Sequence, residues 1–242
     1  MPQKTLVTFL LDRTGSMESI KDDTIGAFNA YVGGLQQNAD LIDFTFVQFD
    51  SQSLDKVCVR VPVSKAPLLD KNNYIPRAAT PLIDASYKTI KAVESSLNGD
   101  SETKVVVCIQ TDGQENSSTE HSWDELNALI KEKTALGWQF NFMGAGIDAY
   151  AQGSKMGIAM AGTMSYDSAS PEATRAAFRA SASNTVAYAA NLSASTDFSV
   201  AQRSASGDKW AKNLNLGNPS SAPTASVAPK KPKTAAVDNF SL

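Results

Sequence analysis

Histidine and cysteine are scarce in this chain of 242 residues, which contains one His and two Cys. Two cysteines cannot build a disulfide framework, and they are too few for a zinc site of their own. Cys58 and Cys108 both lie in short apolar runs, where a free thiol packs as a small hydrophobic side chain. The sequence therefore predicts a fold without disulfide cross-links.

Long hydrophobic runs are also missing. The longest apolar stretches, such as residues 105–109, are far shorter than the ~18 residues needed to cross a bilayer. The first residues hold a short apolar run before Asp12, but it has neither the length nor the small-residue cleavage site of a secretory signal. We therefore expect a soluble, cytoplasmic protein with no membrane partner.

Basic residues do not dominate the charge, since the formal net charge is −3. Residues 191–242 contain six basic and three acidic side chains, so the acidic excess lies in residues 1–190. Because nucleic-acid phosphates bind to basic faces, an acidic globular part is not typical of a nucleic-acid-binding protein. We expect no nucleic-acid partner.

Short apolar segments alternate with amphipathic ones along residues 5–190. Segments rich in Val, Ile, Phe and Leu predict strands at residues 5–11, 44–49, 57–61, 104–110 and 139–143. Apolar residues at a period of about 3.6 predict helices near residues 20–35, 83–97, 126–133 and 171–190. The link between the second and third strands is too short for a helical crossover, so these two should pair antiparallel at an edge. The order predicts an α/β fold, with a Rossmann-like open, mostly parallel sheet and helices on both faces.

The composition changes after Ala190. Residues 191–242 are rich in Ser, Ala, Asn, Lys and Pro, and the stretch 219–233 is of low complexity. Such a segment cannot bury enough apolar surface to offset the entropy that ordering removes. We therefore expect one domain over residues 1–190 and a flexible tail over residues 191–242.

The first predicted strand ends in a run of oxygen-bearing side chains. Asp12, Thr14 and Ser16 are spaced two residues apart, and Gly15 between them permits a tight turn. In open parallel sheets, ligands bind just beyond the carboxyl ends of the strands. One carboxylate and two hydroxyls at such a place suit a hard cation such as Mg²⁺, which prefers oxygen ligands.

Two further segments lead to the same predicted edge of the sheet. The strand over residues 104–110 is followed by Thr111, Asp112 and Gly113, which adds a second carboxylate. Thr80 precedes Pro81 at the start of the second predicted helix, where its hydroxyl could cap the helix or bind a metal. Each piece is common alone, but the three in this order favour a metal site.

These residues resemble the metal-ion-dependent adhesion site of von Willebrand factor type A domains. That family's pattern is Asp-x-Ser-x-Ser, a distant Thr, and an Asp commonly followed by Gly. The matching positions here are Asp12, Thr14, Ser16, Thr80 and Asp112 with Gly113. Thr14 replaces the usual Ser, which keeps the hydroxyl and adds a methyl group. The resemblance covers roughly residues 4–190 and implies six strands in the order 3-2-1-4-5-6.

The resemblance also implies a function. The five side chains would bind Mg²⁺, or alternatively Mn²⁺ or Ca²⁺, with Thr80 in direct or water-mediated contact. The ion would take an Asp or Glu carboxylate from a partner protein, so that the metal bridges two proteins. The chain would then be a non-enzymatic, cation-dependent interaction module. It could serve as an adaptor or as an accessory subunit of a larger complex, such as one driven by an ATPase.

The residues leave an enzymatic alternative open. His121 and Glu115 lie in the polar loop after Asp112, where either could act as a general base in a metal-dependent hydrolase or phosphatase. The chain lacks the Gly-x-Ser-x-Gly, phosphate-loop and dinucleotide-binding motifs. Phosphatases of the haloacid dehalogenase type need a second Asp where this chain has Thr14, which argues against phosphoryl transfer.

Four residues beside the predicted metal are candidates for a rim that contacts the partner: Arg13, Arg77, Gly113 and Glu115. The charged members of this rim could tune the choice of partner. They could equally be solvated loop residues.

The implied strand order gives a check on the thiols. Cys58 on the third strand and Cys108 on the fourth would be three strands apart, which is ~14 Å at ~4.8 Å per strand. A disulfide needs Cα atoms within ~7 Å. Both cysteines are therefore expected to be reduced.

Overall fold

A six-stranded sheet forms the centre of the fold in the computed structural model, which describes residues 3–211. Its strands are Thr5–Asp12 (β1), Ile42–Phe49 (β2), Leu54–Pro62 (β3), Lys104–Thr111 (β4), Gln139–Ala145 (β5) and Thr163–Tyr166 (β6). The order across the sheet is β3-β2-β1-β4-β5-β6. Neighbours pair in parallel except β2 and β3, which are antiparallel. The fold class, the strand order and the antiparallel edge strand are thus confirmed.

The strand β1 lies between β2 and β4, and all eight of its residues are buried. Because side chains alternate along a strand, Val7 and Phe9 pack on one face of the sheet, whereas Leu6 and Leu10 pack on the other. Each face therefore has its own hydrophobic cluster. A strand buried on both faces needs a nearly continuous apolar sequence, which is the pattern that predicts β1.

The described chain forms six α-helices: Lys21–Leu35 (α1), Leu82–Leu97 (α2), Trp123–Ala135 (α3), Ala149–Met156 (α4), Pro171–Ala189 (α5) and Val200–Ala205 (α6). The helices α1 and α5 pack on the face of Phe9, and α2, α3 and α4 pack on the other. The sequence predicts α1, α2, α3 and α5 but not α4 or α6. Within residues 3–211, no helix has the length and hydrophobicity needed to span a bilayer.

The helix starts differ in how they are capped. The Ser122 hydroxyl and the Glu125 carboxylate form a reciprocal capping box at α3, and Ser170 caps α5 just before Pro171. The helix α2 begins one residue after Pro81 without a side-chain cap. The Thr80 hydroxyl is therefore not used to cap α2 and remains available to the loop around it.

The packed domain extends past the boundary expected at residue 190. Residues 191–211 fold back onto β6, and Phe198, Arg203 and Asp208 are all buried there. The expectation of a flexible tail does not hold for this part of the chain. Its ordering depends on a few buried polar side chains, which a composition rich in Ser and Ala does not reveal. The rest of the expected tail, residues 212–242, lies outside the described residues.

The strand β3 forms the other edge of the sheet. Its pairing with β2 shifts register twice, and Arg60 has a left-handed φ of 48°. The Arg60 N–H donates to the Thr45 hydroxyl at 3.1 Å, which holds the irregular backbone. Cys58 on β3 lies three strands from Cys108 on β4, and both cysteines are free, as predicted.

Candidate metal centre

The candidate site forms where three distant segments meet at the carboxyl ends of β1 and β4. Asp12 is the last residue of β1, and Asp112 directly follows β4, its parallel neighbour. Thr80 lies in the loop that leads into α2. The Gly15 N–H donates to the Ala78 carbonyl at 3.0 Å, which ties the loop after β1 to the loop that carries Thr80.

Hydrogen bonds link the predicted oxygen ligands. The Ser16 hydroxyl donates to Asp112 Oδ1 at 2.6 Å and lies 3.2 Å from the Thr14 hydroxyl. The Thr80 hydroxyl donates to Thr14 Oγ1 at 3.2 Å. Asp12 Oδ1 accepts the Thr14 N–H at 2.6 Å. The structure thus brings all five predicted residues into one cluster.

The cluster is buried at its base and open at its top. Asp12, Thr14 and Thr80 are almost completely buried, whereas Ser16 is exposed and Asp112 is partly exposed. Gly113 closes one side, because a Cβ there would lie 3.1 Å from Thr80 Oγ1. A ligand held by this cluster would therefore be reached from solvent on the side of Ser16 and Asp112.

The electrostatics of the cluster favour a cation. Burial raises the pKa of Asp12 to about 6, against the lowering effect of hydrogen bonds from Thr111 and Thr14. Burial also raises the pKa of Asp112, although the hydrogen bond from Ser16 lowers it. Within residues 3–211, neither carboxylate forms an ion pair with a basic side chain. Two buried or partly buried carboxylates without a basic partner are stabilised by a bound positive charge.

The donor set fits a hard divalent ion such as Mg²⁺. Two carboxylates and three hydroxyls are all oxygen donors, which are the ligands that Mg²⁺ prefers. In the described part of the chain, no group of three or more His, Cys, Asp or Glu side chains is arranged so that it could hold a metal ion. A site rich in nitrogen or sulfur, as zinc would favour, is therefore not present there.

Two residues that support Asp12 are not identified by the sequence. The Thr111 hydroxyl donates to Asp12 Oδ2 at 2.5 Å and accepts the Gly113 N–H at 3.0 Å. The Tyr74 hydroxyl donates to the backbone carbonyl of Asp12 at 2.6 Å. The position of Thr111 beside Asp112 is a signal that sequence reasoning could have used. Tyr74 lies in a long irregular loop and gives no such signal.

Thr80 is held in place by the loop that follows Asp112. The Thr80 N–H donates to Asn116 Oδ1 at 2.8 Å, and the Asn116 N–H donates to the Thr80 carbonyl at 3.1 Å. Glu115 accepts the Ile83 N–H at the start of α2 at 2.9 Å. It also accepts bonds from the Ser117 and Ser118 N–H groups at 2.8 and 2.7 Å. The Glu115 carboxylate thus joins this loop to α2, instead of standing free at the rim.

The two predicted rim arginines differ in their surroundings. Arg13 is buried, and its guanidinium pairs with Asp50 and Asp55, each at 2.8 Å. Its predicted place on the exposed rim is therefore wrong, because its side chain points into the β2–β3 loop. The Arg77 side chain is 44% exposed and donates to Asp50 Oδ2 at 3.0 Å. Burial raises the pKa of Asp50, but hydrogen bonds from the Gln52 N–H, Arg77 and Arg13 outweigh it and lower the pKa overall.

His121 lies against α2. Its ring stacks on Tyr87 with centroids 3.8 Å apart, and its backbone N–H donates to Asp84 Oδ1 at 2.8 Å. Among the described residues, neither His121 nor Glu115 forms a hydrogen bond with any of the five candidate ligands. The two candidate general bases are both engaged in holding the fold around α2.

Comparison with known proteins identifies the fold. No protein-family model matches the sequence, and no curated protein matches it by sequence comparison. Proximal thread matrix protein 1 from the mussel byssus is 14% identical over 78% of this chain and 48% of its own, with a TM-score of 0.55. A von Willebrand factor type A protein from Catenulispora acidiphila is 14% identical, covering 76% and 43% of the two chains, with a TM-score of 0.53. The pilus adhesin SpaC from Lactobacillus rhamnosus GG is 13% identical, covering 76% and 30%, with a TM-score of 0.59.

The chain therefore has the fold of a von Willebrand factor type A domain, as the sequence resemblance implies. It spans less than half of the length of each of these three similar proteins. At this level of identity the likeness concerns the fold.

Proposed function

We propose that this protein is a non-enzymatic, Mg²⁺-dependent protein interaction module. The bound ion would accept an Asp or Glu carboxylate from a partner protein. The observation that carries this proposal is the cluster of five oxygen-bearing side chains, in which Ser16 links Asp112 to Thr14 and Thr14 links to Thr80. Polar side chains from three distant segments that gather at the carboxyl ends of parallel strands are typical of a ligand-binding site.

The five side chains would provide two kinds of ligand to the ion. Asp12 and Asp112 would supply negative charge, and the hydroxyls of Thr14, Ser16 and Thr80 would supply neutral oxygens. Thr111 keeps Asp12 oriented through its bond to Oδ2. A magnesium ion takes about six oxygen ligands, so five side chains leave room for a donor from outside the chain. Because the cluster opens on the side of Ser16 and Asp112, that donor would come from a partner.

The similar structures support a binding role. They include a pilus adhesin and a thread matrix protein, neither of which is described by a catalytic activity. The engagement of His121 with Tyr87 and of Glu115 with Ile83 also favours binding, because neither side chain is free beside the cluster. Metal-dependent esterase or phosphatase turnover that is lost in His121→Ala would overturn the non-enzymatic assignment.

Calorimetric titration of the metal-free chain tests the metal site. We expect Mg²⁺ to bind with a stoichiometry of about one, and Asp112→Asn to weaken binding at least about tenfold, because it removes a ligand charge at nearly constant volume. Asp22→Asn is the matched control, since Asp22 pairs with Lys71 at 2.9 Å on an exposed part of α1. Absence of Mg²⁺ binding by the wild-type chain, or equal binding by Asp112→Asn, would contradict the proposal. Mn²⁺ and Ca²⁺ titrated in parallel would identify the preferred ion.

Capture of a partner tests the second half of the proposal. The wild-type chain and Asp112→Asn serve as baits in Mg²⁺ and in a chelator. We expect a partner that is retained only by the wild-type chain in Mg²⁺ and that is lost when its acidic contact residue is replaced by the amide. A partner that is retained equally in chelator would show that the interaction does not use the metal.

A further inference from the structure

A buried glutamine holds the loop that carries part of the candidate metal centre. Gln152 on α4 is only 6% exposed. Its Nε2 donates to the Gly113 carbonyl at 3.1 Å, and its Oε1 accepts the Glu115 N–H at 3.3 Å. Both ends of one amide are therefore used on this loop, which we call the bridging loop and define as residues 112–118.

The bridging loop connects Asp112 on one side of the cluster with Thr80 on the other. It begins with Asp112, and its Asn116 exchanges two hydrogen bonds with Thr80. Its Glu115 carboxylate also binds the first turn of α2. A displacement of this loop would therefore change the distance between Asp112 and Thr80. By clamping the loop, Gln152 acts as a positioning residue for both.

The other side of α4 is held by the C-terminal part of the described chain. Residues 196–208, which we call the strap, run along the outer edge of β6. The Ser165 N–H donates to Asp208 Oδ2 at 3.1 Å, and the Asp167 N–H donates to the Ser206 carbonyl at 3.0 Å. The Arg203 guanidinium donates to the carbonyl of Thr163. The strap thus occupies backbone groups that would otherwise pair with a seventh strand.

Tyr150 connects the strap to α4. Its hydroxyl donates to Asp208 Oδ2 at 2.6 Å and accepts from Arg203 Nη1 at 2.9 Å. All three side chains are buried, and Arg203 is 1% exposed. Residues two apart on a helix point in different directions, so Tyr150 faces the strap while Gln152 faces the bridging loop. The strap therefore fixes one side of the short helix α4, and the other side of α4 forms hydrogen bonds with the bridging loop.

We propose that the strap controls the metal centre through α4. When the strap is in place, Tyr150 fixes α4 and Gln152 holds the bridging loop in the arrangement that gathers the ligands. Release of the strap frees α4, loosens the loop and weakens cation binding. This regulation rests on the proposed function for its effect on Mg²⁺, whereas the mechanical link between strap and loop is present in the metal-free chain.

Two variants of α4 and one control variant test whether the strap and the bridging loop are coupled through α4. Tyr150→Phe removes the hydroxyl that joins the strap, and Gln152→Ala removes the clamp. Tyr188→Phe is the control, because Tyr188 is also buried and its hydroxyl donates to the Gly137 carbonyl at 3.4 Å, away from α4 and the bridging loop. The measurements are hydrogen exchange of the Asn116 amide in the metal-free full chain and Mg²⁺ affinity by calorimetry.

We expect faster exchange of the Asn116 amide in both Tyr150→Phe and Gln152→Ala. We also expect Mg²⁺ binding to be about tenfold weaker in Gln152→Ala, since loss of a residue that orients metal ligands commonly costs 10- to 100-fold in affinity. The effect of Tyr150→Phe should be smaller, and the double variant should resemble Gln152→Ala alone, because both substitutions act on one path. Tyr188→Phe should resemble the wild-type chain.

Two results would overturn the strap mechanism. One is an unchanged exchange rate of the Asn116 amide in Tyr150→Phe, and the other is full additivity of the two substitutions in Mg²⁺ affinity. Failure of the wild-type chain to bind Mg²⁺ would instead overturn the proposed function. In that case the exchange rates alone decide whether the strap positions the loop.

Discussion

Replacement of Asp12 by Asn separates the stability of the fold from the proposed binding of a cation at the candidate metal centre. Burial raises the pKa of Asp12 from 3.8 to about 6 in the folded chain without metal. A shift of roughly two pKa units corresponds to about 3 kcal/mol, since each unit is worth ~1.4 kcal/mol. At neutral pH the ionised carboxylate therefore destabilises the metal-free fold by up to about that amount. Asp12→Asn removes the charge and keeps an oxygen that can accept the Thr14 N–H.

The sign of the pH dependence follows from the direction of the shift. Because its pKa is higher in the folded chain, Asp12 favours folding below about pH 4, where it is protonated in both states. This contribution is lost as the pH rises through about 6. We expect Asp12→Asn to be about 1–3 kcal/mol more stable than the wild-type chain at pH 7.5 in a chelator, with a difference that shrinks as the pH falls towards 4.

Urea denaturation at several pH values, with and without Mg²⁺, measures both effects. Saturating Mg²⁺ should stabilise the wild-type chain, because a ligand that binds only the folded state adds RT ln(1 + [L]/Kd), and it should leave Asp12→Asn unchanged. The difference in the free energy of unfolding between Asp12→Asn and the wild-type chain would then become smaller or change sign. Lower stability of Asp12→Asn in chelator at pH 7.5, or a difference that does not vary with pH, would refute this reasoning. Asp22→Asn again serves as the charge-matched control.

Three further changes have defined outcomes. Gly113→Ala places a Cβ 3.1 Å from Thr80 Oγ1, so we expect about tenfold weaker Mg²⁺ binding by calorimetry with little change in urea stability. A chain ended after residue 190 lacks the strap and exposes backbone groups of β6, so its Tm should be roughly 5 °C or more below that of a chain ended after residue 211. Asp50→Asn leaves two arginines without their shared carboxylate, so urea unfolding should show a loss of about 3 kcal/mol; stability equal to that of the wild-type chain would mean that the pair is dispensable.

The parts of the fold that the sequence predicts are those with strong hydrophobic patterns. The strands β1 and β4 are buried on both faces, so their sequences are nearly continuous runs of apolar residues. The residues of the candidate metal centre follow directly from these strands, which is why their meeting at one edge could be anticipated. The strand β6 has only four residues, two of them polar, and this is too short for an alternating pattern to be recognised.

The helix α4 and the strap give weaker signals. Gly153 interrupts the apolar pattern of α4, and it is required because a Cβ there would lie 2.8 Å from Thr163 Oγ1. The strap is ordered by hydrogen bonds of Arg203 and Asp208, which have no periodic signature in a segment rich in Ser and Ala. Interactions that depend on one or two buried polar residues cannot be inferred from periodicity or composition.

The error at Arg13 has a different origin. Its neighbour Asp12 belongs to the candidate metal centre, and closeness in sequence suggested a place on the same surface. Side chains of adjacent residues at the end of a strand point to opposite sides, so Arg13 is directed away from Asp12 and Thr14. Alternation along the end of β1 could therefore have placed Arg13 on the side opposite to Asp12.

The covering of β6 by the strap has a consequence for assembly. An open sheet presents a row of unsatisfied amides and carbonyls at each margin, and such rows can recruit strands from other molecules into aggregates. In this protein, side chains of the strap bond to the backbone groups at the β6 edge, and side chains cannot continue the hydrogen-bond pattern of a sheet. At the opposite margin, the kink at Arg60 and the register shifts of β3 interrupt the row. The fold thus keeps the end that carries the candidate metal centre open while limiting aggregation through its two edge strands.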